Sequence, residues 1–199
     1  MKTSLLIGAM LALSSLTASA GTVTYSTSTS QLCVGGSGCG VSTQTIGSVL
    51  VTFNPIASSS VLAAPTTFSS FGEIVIACVG GGTACSSQSL AGLNLFLNIA
   101  QTVPSAGSAS ISGGVITGSI SGVGSSAVIT WSVPNAVSIG TVSYSLLNNP
   151  LSLVPPSAGV TTFIQGVITD SPVPEPSTYA LISSALLGLG LLRKRLVRQ

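Results

Sequence analysis

The sequence contains no histidine, and it has only five lysine or arginine residues and three aspartate or glutamate residues. Between Gly21 and Ser171 the charged residues are Glu73 and Asp170, and all the cations lie nearer the two ends of the chain. General acid and base catalysis draws on histidine, lysine or paired carboxylates, so this composition argues against an enzyme. Because nucleic-acid binding needs a basic surface, we expect no nucleic-acid partner either.

The shortage of ionisable residues also bears on metals and cofactors. Zinc sites use closely spaced cysteines, often with histidine, but this chain has no histidine and its cysteines are spaced more widely than the usual ligand pairs; calcium sites draw on several carboxylates. The glycine clusters lack the lysine and helix that follow in a phosphate-binding loop. Glu73 and Asp170 are the remaining candidates for a glycosidase pair, but Asp170 lies where the domain ends. We therefore expect neither a metal nor a cofactor.

The N-terminal residues have the three zones of a secretory signal peptide. Lys2 precedes an apolar segment from Leu5 to Leu16, and the small residues Ala18-Ser19-Ala20 follow. A membrane-spanning helix is the alternative, but the segment is short, contains two serines and ends in small residues. We predict cleavage between Ala20 and Gly21, which makes residues 1–20 a leader and the following domain an exported one.

Hydrophobic periodicity predicts the fold class of residues 21–171. From Leu93 to Ile99 every second residue is Leu or Ile, with Asn94 and Asn98 between them, and this period of two is typical of a half-buried strand. Further runs of β-branched and aromatic residues predict strands near Thr22 to Thr29, Thr45 to Phe53, Phe71 to Val79, Gly107 to Ser112, Val115 to Ser121, Ala127 to Val133, Ile139 to Leu147 and Val160 to Thr169.

Turn-forming residues separate these strands, and no long helix intervenes to connect parallel neighbours. Gly113-Gly114 suits a two-residue hairpin turn. The glycine-rich stretch from Ile111 to Gly124 also permits a solenoid, but no repeat period continues along the chain, which favours consecutive hairpins. We expect an all-β domain, either an antiparallel β-sandwich or a jelly roll.

The four cysteines form an even set in a chain that we expect to be exported, where oxidising conditions favour disulfides. They are Cys33, Cys39, Cys78 and Cys85, and three pairings are open to them. We favour Cys33 with Cys39 and Cys78 with Cys85, because flexible glycines lie between these close partners. Such bonds would organise loops rather than the core.

Sugar binding is compatible with this composition, because aromatic rings and hydroxyl groups suffice for it. Trp131, Tyr25 and Tyr144 are the candidate ring platforms. Trp131 lies between Ile129 and Val133 on one face of a predicted strand, where a core residue is expected. We retain Trp131 as a candidate glycan contact beside its interpretation as a core residue.

The C-terminal segment combines three features in order. Pro174-Glu175-Pro176 should be extended, because proline fixes φ and disfavours the helical region for the preceding residue. The apolar run Tyr179 to Leu192 follows, and as a helix it would span roughly 21 Å against ~30 Å for a bilayer core. Arg193-Lys194-Arg195 comes next, and cations beside an apolar helix stay on the cytoplasmic side, so they orient the helix.

This segment resembles the PEP-CTERM sorting signal of Gram-negative bacteria. The resemblance implies recognition of Pro174-Glu175-Pro176 by an exosortase, which is a membrane-embedded protease, followed by removal of the tail. It also implies transient residence in the inner membrane and delivery to the outer envelope or the exopolysaccharide matrix. A single-pass anchor behind a proline linker is the alternative.

The predicted organisation is a signal peptide at residues 1–20, an all-β extracellular domain at 21–171 and a sorting signal with one short transmembrane helix at 172–199. We expect a structural or adhesive protein of the envelope or matrix that has no catalytic role. The alternative is a carbohydrate-binding module for the exopolysaccharide of the producing cell.

Overall fold

The computed structural model describes residues 21–35, 37–63, 65–171, 182–186 and 188. The chain divides into two compact units. One comprises Ala20–Ser171 and holds all the described strands, and the other comprises Met1–Ser19 together with Pro172–Gln199. The predicted leader, residues 1–20, lies outside the described residues.

The described part of the first unit contains sixteen strands and one short 3-10 helix at Pro156–Ala158. An eight-stranded sheet contains β1 (Gly21–Ser26), β2 (Gln31–Val34), β3 (Ser37–Val41), β6 (Ser59–Ala63), β9 (Leu93–Val103), β10 (Gly107–Thr117), β12 (Val128–Thr130) and β15 (Leu151–Ser152). A six-stranded sheet contains β4 (Thr43–Ile46), β5 (Val49–Asn54), β7 (Thr66–Cys78), β13 (Ala136–Ile139), β14 (Val142–Leu146) and β16 (Thr162–Asp170). A separate pair consists of β8 (Gln88–Ser89) and β11 (Ser119–Ile120).

The strand order of the eight-stranded sheet is β15-β12-β10-β9-β1-β6, with β2 bonded to β9 and β3 bonded to β2. The six-stranded sheet runs β13-β14-β16-β7-β5-β4. Every strand pairing among the described residues is antiparallel. The predicted all-β antiparallel class is therefore confirmed.

One hydrophobic core lies between the two large sheets. The side chains of Leu93, Leu95, Leu97 and Ile99 in β9 are all buried, which confirms the predicted period of two. Three aromatic rings contact one another between the two sheets. Tyr25 of β1 lies edge-on to Phe71 of β7, with the ring centroids 5.7 Å apart. It also lies edge-on to Tyr144 of β14, at 6.0 Å. Edge-to-face packing of this kind adds to the area that the rings bury. The fold is a β-sandwich.

The hairpin predicted at Gly113-Gly114 is wrong. Both glycines lie inside β10, where Ile111 opposes Leu97 and Gly114 opposes Leu95 of β9. One extra residue is therefore accommodated in β10 as a β-bulge, and Gly113 takes a φ of +77° that favours glycine. The two predicted strands on either side of these glycines are one continuous strand.

The run predicted as one strand from Thr45 to Phe53 is instead a hairpin. It divides into β4 and β5, with Ile46 opposite Val49. Gly47 lies in the turn with a φ of +57°. Alternation alone did not reveal this break, because valine, isoleucine and threonine continue on both sides of the turn.

In the C-terminal segment, residues 182–186 and 188 are helical and their side chains are exposed. This agrees with a short terminal helix. In the part of the chain that the structure describes, no helix has the length and apolar character needed to cross a bilayer. Insertion of Tyr179 to Leu192 into a membrane stays a prediction.

Candidate functional site

Most of the predicted processing residues lie outside the described residues: Ala18, Ala20, Pro174, Glu175, Pro176, Arg193, Lys194 and Arg195. Their roles in leader cleavage, sorting and membrane orientation stay predictions. Gly21 is described, and it is the first residue of β1. The geometry therefore concerns the β-domain, residues 21–171, which lies between the two segments that we predict to be removed.

The two ends of the β-domain lie side by side. β1 begins at Gly21, and β16 ends at Asp170. A Cβ added to Gly21 would lie 2.5 Å from Oδ2 of Asp170, which is closer than non-bonded atoms approach. Glycine is therefore the residue that lets the carboxylate come this near. The predicted leader and the sorting motif therefore adjoin strand ends that lie next to each other in the domain.

The carboxylate of Asp170 is buried, and the residue is only 3% exposed. Thr141 donates a hydrogen bond from Oγ1 to Oδ1 at 2.9 Å. The backbone N–H of Asp170 donates to the carbonyl of Pro65, also at 2.9 Å. No lysine or arginine exists between Gly21 and Ser171 to pair with this carboxylate.

Glu73, the other carboxylate of the domain, lies far from Asp170. It belongs to β7 and stands opposite Phe163 of β16, and it accepts hydrogen bonds from Asn54 at 2.9 Å and Thr161 at 3.2 Å. Asp170 is at the other end of β16, roughly 23 Å along the strand. Paired carboxylates of glycosidases stand within about 10 Å of each other, so these two cannot act on one sugar bond.

The two disulfides join Cys33 to Cys39 and Cys78 to Cys85. The favoured pairing is therefore confirmed. The first bond links β2 to β3, and the second closes the glycine-rich loop that follows β7. Both connect neighbouring segments of the chain, which makes them structural supports for loops.

The aromatic residues considered as glycan platforms are all core residues. Trp131 is 2% exposed, and Tyr25 and Tyr144 are also buried. Asn149 holds the backbone of Trp131 through two hydrogen bonds of 3.0 Å, and the indole ring lies against Gly114 of β10. A ring that is 2% exposed cannot stack on a sugar in this structure, so the structure does not support the glycan-contact role suggested for Trp131.

The hydroxyl of Tyr144 belongs to a polar network within the core. It donates a 2.6 Å hydrogen bond to Oε1 of Gln101, whose amide nitrogen donates to the carbonyl of Ser105 at 2.8 Å. Burial raises the pKa of Tyr144, and the nearby groups Tyr25 and Asp170 raise it further. The phenol therefore stays protonated at neutral pH and acts as a structural donor.

Sequence reasoning missed an exposed aromatic groove on the outer face of the six-stranded sheet. Phe68 of β7 and Phe163 of β16 are 72% and 52% exposed. They line an open groove of about 320 Å³ together with Leu147, Gln165, Ser69 and Ser70. Strand phase was the available signal, because Phe163 alternates with buried Thr162 and Ile164 and so points outward with Gln165.

Comparison with known proteins bears on the tail alone. The family described as the PEP-CTERM protein-sorting motif matches residues 172–195. This match confirms the resemblance inferred from the prolines, the apolar run and the cations. No curated protein and no solved structure matches the chain.

Proposed function

We propose that this chain, a PEP-CTERM protein exported as an exosortase substrate, is a structural or adhesive component of the cell envelope or exopolysaccharide matrix and has no catalytic role. The observation that carries the proposal is the sorting motif at residues 172–195. The motif directs export and processing of the protein, and the β-domain is the part that remains after processing.

The tail carries out the sorting in this proposal. Pro174 and Pro176 keep the peptide extended and unable to join a sheet, and a protease can bind such a peptide. The apolar run from Tyr179 inserts as a short helix, and Arg193-Lys194-Arg195 holds its end on the cytoplasmic side. Cleavage then releases the β-domain.

Several properties of the β-domain support a non-catalytic role outside the cell. Its two carboxylates are too far apart to cooperate, and its composition provides no histidine, lysine or arginine beside them. Two disulfides stabilise it in oxidising surroundings. A nearly uncharged surface also repels its neighbours little, which favours association within a matrix.

The test is to replace the recognised tripeptide by Pro174→Ala/Glu175→Ala/Pro176→Ala in the producing cell. We expect intact-mass analysis to find the variant with its tail retained, whereas the wild type has lost it. The matched control is Glu73→Gln, which changes a carboxylate of the domain and should be processed normally. A mature product of normal mass from the triple variant would contradict exosortase recognition of this motif.

Carbohydrate binding is the second candidate, and the groove lined by Phe68 and Phe163 favours it. Exposed rings stack on sugar faces, and Gln165 can supply a hydrogen bond beside them. The test measures retention of the purified protein on the producer's own exopolysaccharide. Phe163→Ala should weaken retention at least about tenfold, and Val123→Ala, at an exposed site elsewhere, should not. Equal retention of both variants would eliminate this candidate.

A further inference from the structure

We propose that Asp170 is a binding site for the α-ammonium group that leader cleavage creates at Gly21, so that removal of the leader completes an ion pair within the β-domain. This inference goes beyond the proposed function, and it rests on the predicted cleavage between Ala20 and Gly21. It assigns a role to the one carboxylate that the domain buries.

The nitrogen of Gly21 lies close to the carboxylate of Asp170. Oδ2 of Asp170 would lie 2.5 Å from a Cβ on Gly21. In any residue the backbone nitrogen and Cβ are about 2.5 Å apart, so the Gly21 nitrogen lies within about 5 Å of this oxygen. A terminal nitrogen is no longer held in a peptide plane, and rotation about the Cα–C bond can bring its three donors to the carboxylate.

Leader cleavage creates a positive charge at Gly21. Hydrolysis of the Ala20–Gly21 amide consumes one water, leaves a carboxylate on Ala20 and frees an amine on Gly21. The ordinary pKa of an α-amino group is about 7.7–8.0, so the amine takes up a proton at neutral pH. Before cleavage the same nitrogen is a neutral amide. Cleavage therefore adds a cation to a domain whose sequence otherwise has none.

The carboxylate of Asp170 is buried without a cation beside it in the sequence of the domain. A carboxylate removed from water needs a cation or several donors, because an unpaired buried charge is costly. Glu73 is less buried than Asp170, and each of its carboxylate oxygens accepts a hydrogen bond, one from Asn54 and one from Thr161. Asp170 is more deeply buried, and its side chain has Thr141 as its hydrogen-bond donor among the described residues. The Gly21 ammonium is the partner whose charge and position match Asp170.

The ion pair makes the mature domain more stable than the same domain with its leader attached. It also joins the first residue of β1 to the last residue of β16, strands that belong to different sheets. Processing at the N-terminus therefore tightens the closure of the sandwich at the point where the sorting tail begins.

The test uses residues 21–199 with the leader replaced by a carrier and a protease site that leaves Gly21 as the first residue. Because an added protease makes the cut, the result does not depend on exosortase or on the cell's own leader peptidase. We expect cleavage to raise the unfolding midpoint by about 3 °C or more in the wild type. Asp170→Asn should show less than half of this rise, and the control Glu73→Gln should show all of it. The same rise in Asp170→Asn, or none in the wild type, would overturn the proposal.

A second measurement serves if Asp170→Asn fails to fold. After cleavage the chain has two amines, the Gly21 α-amine and Lys194. Only the unprotonated amine reacts with an acylating reagent, so an ion-paired ammonium is protected. Relative to Lys194, we expect the Gly21 amine of the wild type to react about tenfold more slowly in the native state than in denaturant. Equal relative rates in the two states would count against the ion pair.

Discussion

The β-domain and the segments attached to its ends use charge in opposite ways. From Gly21 to Ser171 there are two carboxylates and no cation, whereas all five cations lie in the predicted leader and the sorting signal. In the segments, we expect charge to specify membrane topology, because cations beside an apolar run favour the cytoplasmic side. In the domain, most side-chain hydrogen bonds between the described residues are made by hydroxyl and amide groups, and the two carboxylates accept hydrogen bonds from such groups.

This difference predicts that processing of the tail and folding of the β-domain are separable in this chain. The PEP-CTERM match begins at residue 172, directly after the compact unit Ala20–Ser171 ends. Substitutions in the tail should therefore change where the protein goes without changing its stability, and substitutions in the core should do the reverse. The following predictions test that separation, beginning with the largest effect.

Reversing the tail cations by Arg193→Glu/Lys194→Glu/Arg195→Glu should abolish most of the tail removal, at least about tenfold, because the helix loses its orientation signal. The measurement is the ratio of processed to unprocessed mass in the producing cell. Val123→Lys adds a cation at an exposed position of the domain and is the control that should process normally. Similar losses in both variants would show that the location of the charge does not matter.

Removing a core ring should affect only stability. Phe71→Ala deletes a fully buried ring that contacts Tyr25 and Tyr144, so we expect a loss of about 3–5 kcal/mol in the free energy of unfolding. Phe68→Ala, in the same strand but 72% exposed, should cost no more than about 0.5 kcal/mol. Denaturant titration of both variants measures the contrast, and comparable losses would contradict the described burial.

Each disulfide should contribute about 2 kcal/mol, because it closes a short loop in the unfolded chain. The double variants Cys33→Ala/Cys39→Ala and Cys78→Ala/Cys85→Ala should lose this amount in denaturant titration. Tail removal should stay at the wild-type level in both. If either variant accumulated with its tail attached, the stability of the domain and removal of the tail would be coupled.

Alkaline pH should weaken the domain through Tyr144. Below its ordinary pKa of 10.0 the phenol is protonated in both folded and unfolded chains, so its contribution is fully present. Burial holds the folded pKa higher, so above pH 10 the unfolded chain loses the proton first and stability falls, by up to about 1.4 kcal/mol per pH unit. Unfolding of Tyr144→Phe should depend less on pH in this range. An equal slope in both proteins would assign the loss to other groups.

Local patterns in the sequence were sufficient for the features that depend on neighbouring residues. Alternation from Leu93 to Ile99 predicted a strand with one buried face, and glycines between close cysteines predicted both disulfide pairings. The prolines, apolar run and cations of the tail predicted its family. Each of these signals lies within a few residues of the feature it specifies.

Features that depend on distant contacts were not predictable in this way. The bulge at Gly113 arises from the register between β10 and β9, and the same two glycines are equally compatible with a hairpin turn. The indole of Trp131 lies against Gly114 of β10, and the Asn149 side chain holds the Trp131 backbone; local alternation only suggests this burial. The exposure of Phe68 likewise follows from the irregular register between β7 and β16.

The sequence by itself determined the all-β class, the disulfides and the sorting tail, because periodicity, spacing and composition act over short stretches of chain. Only the tertiary structure decided that Gly21 meets Asp170 and that Phe68 and Phe163 share a groove. These contacts join residues far apart in the chain, and they follow from strand order and register. Pairing between distant strands is set by the packing of the whole core, which no single segment encodes.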